Sequence, residues 1–435
     1  MISASTKSTS TESILSNKVV ILGSGIAGIS AAYHLRKKGW NPVVFEQDAD
    51  WGGLCGNFTI DGFRFDRFVH FSFAPDQNDA ALFAASTGMI EHIPFPNNYY
   101  HGYWLRHPAQ NNLAPLPVDE KVAIISDFIN RPQKPVSEIK DYAEWLRVQY
   151  GNYFAEHFPF VYTRKYWGIE AADLETKWVG VRMYTPDIAQ VLKGSYETQD
   201  ECFYFAKKML YPKKGGFRSI LNTCRAGTDI RFNKRVVRID PATKTVFFAD
   251  GTAESYNRLI STIPLPEMVR IVDNCPAAAE QAAGKLHWTR GYQVSLGFNR
   301  PDVAKYLWFY IYDEDIPPAR VYSPNLKSPD NAPDGCSSLQ AEVFFDNFAE
   351  IPPAKEVLDK TVSKLIAMGV FQESDVVVKD IRFEPYANVT FVPDIYENRR
   401  KVREWLDQIG IETIGRFGKW DYEWTHQAFA DGKEV

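Results

Sequence analysis

The apolar positions change their rhythm along the chain, and each change predicts a different element. Lys18 to Leu22 reads KVVIL, a β-branched run with no polar face, as expected of a parallel strand buried on both sides. From Ile26 the apolar residues take helical spacing as far as Lys38, and Lys37, Lys38 and Gly39 suit a helix C-terminus. Pro42 to Glu46 is a second apolar run, so this stretch predicts a βαβ unit. From about Phe73 to Asp200, aromatic residues and prolines alternate with helical stretches such as ISDFINR and IKDYAEWLRVQY, which predicts a mainly helical insertion. Ile230 to Pro264 returns to strand alternation, with an Asp-Gly turn at Asp250-Gly251 and a buried run at Arg258 to Thr262. His287 to Phe345 is strand-rich, and Val357 to Met368 has helical spacing.

These segments predict an α/β protein. A Rossmann-type lobe is assembled from discontinuous pieces, residues 17–75, 200–264 and 385–435. A mainly helical lobe covers 76–199 and a β-rich lobe covers 265–384. Residues 1–16 are rich in Ser and Thr and read as a disordered tail; they lack the basic start, apolar centre and small-residue cleavage site of a secretory signal.

A length of 435 residues fits two or three lobes, and the formal net charge is -5. A nucleic-acid partner is not expected, and an anionic substrate has to be met by a few placed arginines. The five cysteines, Cys55, Cys202, Cys224, Cys275 and Cys336, are scattered and form no CxxC pair. No disulfide framework or metal site is expected, and a cytoplasmic location fits. No apolar run is long enough for a membrane span. No Ser/His/Asp set stands at convincing spacing.

Gly23, Gly25 and Gly28 form GxGxxG between the first strand and the helix. The first glycine allows a tight turn, the second lets backbone approach a pyrophosphate, and the third lets helix and strand pack closely. The helix N-terminus offers free N–H groups to the phosphates. Glu46 closes the second strand, where an acid can accept from ribose hydroxyls. Six residues further on, Gly52-Gly53-Leu54-Cys55-Gly56 supplies a second glycine pair. That pair resembles the pattern of FAD-binding proteins more than that of nicotinamide dehydrogenases, so FAD is the expected cofactor.

Beyond these elements the chain resembles the UDP-galactopyranose mutases, flavoenzymes within the wider FAD-dependent amine oxidase-like group. Gly415-Arg416-Phe417-Gly418, followed by Tyr422-Glu423, looks like the family's GRxG…YE motif. The resemblance implies that Arg416 contacts the pyrophosphate, that Gly415 and Gly418 bring backbone to the flavin, and that Tyr422 contacts substrate phosphate. Tyr162 to Gly168 is similar to the YTxKxWG stretch, which implies that Tyr162 and Trp167 wall a uracil pocket. Arg182 and Arg320 fall where the family carries two diphosphate-binding arginines, Arg182 on a mobile loop. His70 falls where a histidine faces the flavin, Val236 where backbone meets adenine, and Tyr211 to Gly216 beside the flavin. Two positions depart from the pattern: Arg67, Phe68 and Val69 replace glycines before the histidine, and Tyr386-Ala387-Asn388 replaces a Tyr-Pro stretch.

The implied activity is a redox-neutral contraction of a nucleotide-linked hexopyranose to the furanose on reduced FAD. The substrate is a nucleotide sugar, an external reductant such as NAD(P)H keeps the flavin reduced, and a homo-oligomer is compatible. His70, Arg182 and Arg320 are the expected catalytic residues. Two rival readings stand beside it. One is an FAD-dependent oxidase or desaturase of the amine oxidase or protoporphyrinogen oxidase kind. The other is a non-catalytic flavin or sugar-nucleotide binder.

Overall fold

The computed structural model describes residues 17–73, 76–201, 203, 204 and 206–435, so the tail at 1–16 and Cys202 lie outside the described residues. The expected βαβ unit is β1 (Lys18–Leu22), α1 (Ile26–Lys37) and β2 (Asn41–Phe45). With β3 (Asp229–Arg231), β4 (Arg258–Ser261) and β5 (Ile411–Thr413) it forms a parallel sheet in the order β5-β4-β1-β2-β3. Val19, Val20, Ile21 and Leu22 are fully buried, which is why this strand shows no polar alternation. Segments some 390 residues apart in sequence thus complete one sheet. The last helix, here α4 (Thr425–Glu434), lies on α1; Ser30 Oγ donates to the Phe429 carbonyl at 2.6 Å.

A seven-stranded sheet forms the second layer. Its strands run in the order Val376–Thr390, His287–Phe298, Ser337–Asp346, Arg320–Tyr322, Trp308–Ile311, Asn97–Tyr100, Tyr103–Arg106. The final hairpin comes from the otherwise helical stretch, and Asn97–Tyr100 pairs parallel with Trp308–Ile311. Helix Ala354–Ala367 covers one face of this sheet, burying Val362 and Leu365 with Leu296, Leu339 and Ala341. The alternate residues of Ser337–Asp346 look the other way; there Gln340 and Glu342 are fully buried and Phe344 packs on Phe68.

The helices Val118–Ile129, Tyr142–Tyr150, α2 (Pro159–Trp167) and Ile188–Tyr196 form most of the insertion. Asp141 caps its helix by accepting from the Glu144 N–H at 2.8 Å, and Asp187 builds a capping box with Gln190. The chain at Gly415–Lys419 forms a short helix, α3. No helix among the described residues is long and apolar enough to cross a membrane.

Candidate functional site

The glycine corner is built as its sequence requires. Gly23 has φ +97°, and a Cβ there would lie 2.1 Å from Thr262 Oγ1. A Cβ on Gly28 would lie 2.0 Å from the Gly23 carbonyl oxygen, so helix and turn touch directly. Gly25 differs: a Cβ there meets no protein atom within 4 Å and would project into open space. Gly25 also caps α1, whose first turn carries no acid and no side-chain cap. The second glycine pair folds back onto this turn. Gly52 N–H donates to the Ser24 carbonyl at 3.0 Å, and a Cβ on Gly53 would approach Gly25 Cα to 3.2 Å. Two glycine-rich backbones and an uncapped helix end therefore frame a concavity suited to phosphate oxygens. Glu46 accepts from the Ser24 N–H (2.8 Å) and hydroxyl (2.7 Å) and from the Asp48 N–H (3.0 Å). That leaves part of its four-fold acceptor capacity for ribose.

From this corner a cavity of about 1680 Å³ runs towards the seven-stranded sheet. Pockets for drug-sized ligands measure roughly 300–1,000 Å³, so this cavity has room for more than one such ligand. Gly23, Gly25, Glu46, Gly52, Gly53 and Val236 line it at the corner; Tyr162, Trp167, Arg182, Arg320 and Tyr422 line it in the aromatic part. His70, Gly415 and Arg416 are also on its wall. Gly28 and Gly418, expected among the cofactor residues, do not reach it. Gly418 packs α3 onto β4 instead, where a Cβ would lie 2.9 Å from the Ser261 carbonyl oxygen.

Three guanidinium groups enter the aromatic part. Arg182 donates to the carbonyls of Trp178 (2.8 Å) and Tyr422 (2.9 Å) and lies 4.6 Å from the Tyr422 ring centre and 5.1 Å from that of Trp424. Burial lowers its pKa. Arg416 donates twice to the Glu423 carbonyl (2.9 and 2.6 Å) and lies 5.4 Å from the Tyr422 ring. Asn388 Oδ1 joins Arg416 (3.4 Å) to the Tyr166 hydroxyl (3.3 Å). Arg320 pairs with Glu342 through Nη2 (2.6 Å) and Nε (2.8 Å). Burial works against its charge, but Glu342 and the surrounding phenols hold its pKa well above the usual value.

Tyr162 and Trp167 do not face each other as two plates of one slot. Both sit on α2 with Tyr166 between them; Tyr162 stacks on Tyr166 at 5.4 Å, and Trp167 meets it edge-on at 5.0 Å. Trp167 is only 4% exposed and is wedged against Trp178 and Tyr422. Tyr162 turns the other way, edge-on to Tyr310.

His70 stacks on Phe217 at 4.9 Å, and its Nδ1 lies 3.2 Å from the Phe68 carbonyl. Burial pushes its pKa down to about 4, so the ring is neutral at physiological pH. Phe68, standing where glycine was expected, has φ +60°, a left-handed backbone uncommon for a bulky residue. Its ring packs with Ala319, Phe344 and Ala387.

Sequence reasoning missed the carboxylates behind these groups. Glu342 is fully buried beneath Arg320. Asp66 and Lys327, both fully buried side chains, pair at 2.8 Å, and Asp66 also accepts from the Tyr211 hydroxyl (2.6 Å) and the Phe217 N–H (2.9 Å). Burial works against the Asp66 charge, yet Lys327 and these donors hold its pKa below the usual range. The signal for Glu342 was present: in SSLQAEVFFD, Ser338, Gln340 and Glu342 are polar at alternate positions while Leu339, Ala341 and Val343 between them are apolar.

Residues 26–405 match the model of the flavin containing amine oxidoreductases. The chain belongs to this family of flavoproteins. In architecture the family member resembles the crystal structure of reduced UDP-galactopyranose mutase, with a TM-score of 0.89 over 96% of this chain and 94% of that one, at 22% identity. A putative protoporphyrinogen oxidase from Exiguobacterium sp. 255-15 superposes with a TM-score of 0.72 over 96% of this chain and 97% of that one, at 16% identity. Among curated proteins, the mitochondrial protoporphyrinogen oxidase of Nicotiana tabacum is 25% identical over 151 residues, 32% of this chain. The inactive all-trans-retinol 13,14-reductase of Danio rerio is 50% identical over 48 residues, 11% of this chain. These alignments span 29% and 8% of the relatives' own lengths.

Proposed function

We propose that this flavoprotein binds FAD and acts as a nucleotide-sugar mutase, interconverting hexopyranose and hexofuranose. The observation that carries the reading is the convergence of Arg182, Arg320 and Arg416 on one aromatic chamber continuous with the glycine corner. Gly23, Gly25, Gly52 and Gly53 with the N-terminus of α1 would hold the FAD pyrophosphate, and Glu46 the ribose. When bound, reduced flavin supplies an electron-rich nucleophile for redox-neutral chemistry at the anomeric carbon. The chain's own residues do the rest. Arg182 and Arg320 hold the diphosphate and neutralise charge as it leaves. Fork-shaped guanidinium donors suit phosphate oxygens, and their burial strengthens each interaction. Tyr422, whose ring centre lies 4.6 Å from Arg182 and 5.4 Å from Arg416, would donate to phosphate, and Tyr162 would offer a ring face to a base. Neutral His70 can accept or donate a hydrogen bond without adding charge beside the flavin.

The test uses the purified, dithionite-reduced holoprotein with UDP-, GDP- and dTDP-hexopyranoses, and chromatography for furanose. Furanose without net electron consumption is the expected result. Oxygen-dependent peroxide release with an amine or porphyrinogen, and no furanose, overturns it in favour of an oxidase.

A further inference from the structure

Glu342 has two partners that belong to different parts of the site. Its Oε2 binds Arg320 at 2.6 and 2.8 Å. Its Oε1 accepts from the Val69 N–H at 3.0 Å, one residue from His70. The carboxylate is fully buried, so no solvent substitutes for either partner. Arg320 and Glu342 are also directly opposed in the sheet register. A second tie runs beside the first, because the Phe68 ring packs on Ala319, which precedes Arg320, and on Phe344, two residues beyond Glu342 on its strand. The other side of the segment is pinned too: Arg67 N–H donates to the Gly56 carbonyl at 2.8 Å, and its guanidinium pairs with Asp48 (3.2 Å) and Glu384 (3.6 Å). Phe68 sits between these anchors in its left-handed conformation.

We infer that Glu342 is a positioning residue that couples anion binding at Arg320 to the Phe68–His70 segment, so that a diphosphate on Arg320 alters the surroundings of the flavin. This rests on the reading of Arg320 as a diphosphate group. An anion arriving at Arg320 competes with Glu342 for the same guanidinium. The carboxylate then redistributes towards the Val69 amide, its other hydrogen-bond partner among the described residues. Coupling of this kind is reciprocal: the state of the His70 segment sets the anion affinity by the same factor.

The experiment titrates inorganic pyrophosphate and UDP into the flavin-loaded protein, reading heat by calorimetry and the visible flavin spectrum in parallel. In the wild type, binding is expected to shift the flavin spectrum. In Glu342→Gln the competing charge is gone, so pyrophosphate affinity rises about fivefold or more while the spectral shift is lost. A residue with a merely structural role would not raise affinity and silence the signal together. Glu342→Asp keeps the charge but cannot span both partners, and it is expected to fold and give a reduced shift. A full shift in both variants overturns the coupling, as does pyrophosphate binding to wild type without a shift. Binding of pyrophosphate but not UDP overturns the nucleotide-sugar reading and leaves the coupling to the pyrophosphate result. Binding of neither overturns both.

Discussion

Gly25 and Gly28 are three residues apart and do different work. A Cβ at position 28 strikes the Gly23 carbonyl, whereas one at position 25 meets only open cavity. Gly28→Ala is therefore expected to lower the stability of the protein by about 1–3 kcal/mol, through overpacking between helix and turn. Gly25→Ala is expected to leave the apo-protein melting temperature within about a degree of wild type while abolishing flavin uptake, since its methyl would occupy the space framed for phosphate. Thermal melts of the apo-proteins, with absorbance after flavin addition, check both. The GxGxxG spacing announced all three glycines together, and only three-dimensional packing divides them into cradle and scaffold.

At the level of elements, the Asp66–Lys327 pair joins strand Phe63–Asp66 to the short helix Pro324–Lys327. Three rings, those of Tyr211, Tyr322 and Phe71, surround the ammonium within 4.8–6.0 Å. Lys327→Met strands a buried carboxylate and is expected to cost about 3–5 kcal/mol in denaturant unfolding, most of it recovered when Asp66→Asn is added. Nothing local in the sequence announces this pair, because 261 residues separate its members. The same holds for Arg320 and Glu342: the arginine was visible from its motif, its carboxylate only as an odd polar residue in a strand. What could be read early was periodic or motif-like, namely the β1-α1-β2 unit, the strand at Arg258–Ser261 and the arginines. What escaped depended on pairing across the chain. The hairpin Asn97–Arg106 looked like part of a helical region because its strands are only four residues each and their placement is decided by Trp308–Ile311.

Over the whole molecule, burial of histidine sets an acid limit. His70 and His107 are both pushed down to about 4, mainly by burial, whereas in the unfolded chain each titrates near 6.5. Between those values the unfolded chain binds protons that the fold refuses, so stability falls as pH drops from 6.5 towards 4. Above 6.5 these two groups add no slope. Chemical denaturation from pH 7.5 to 4.5 is expected to show this decline, and the double variant His70→Asn, His107→Leu to show a shallower one.

The parallel sheet has one more consequence. Its order places β5, near the end of the chain, beside β4, and Arg416 follows immediately after it. On the ribosome, the early glycine turn emerges long before the residues that close the opposite wall. Both walls of the cavity therefore exist together only once residues 411–416 have been synthesised and have docked beside β4.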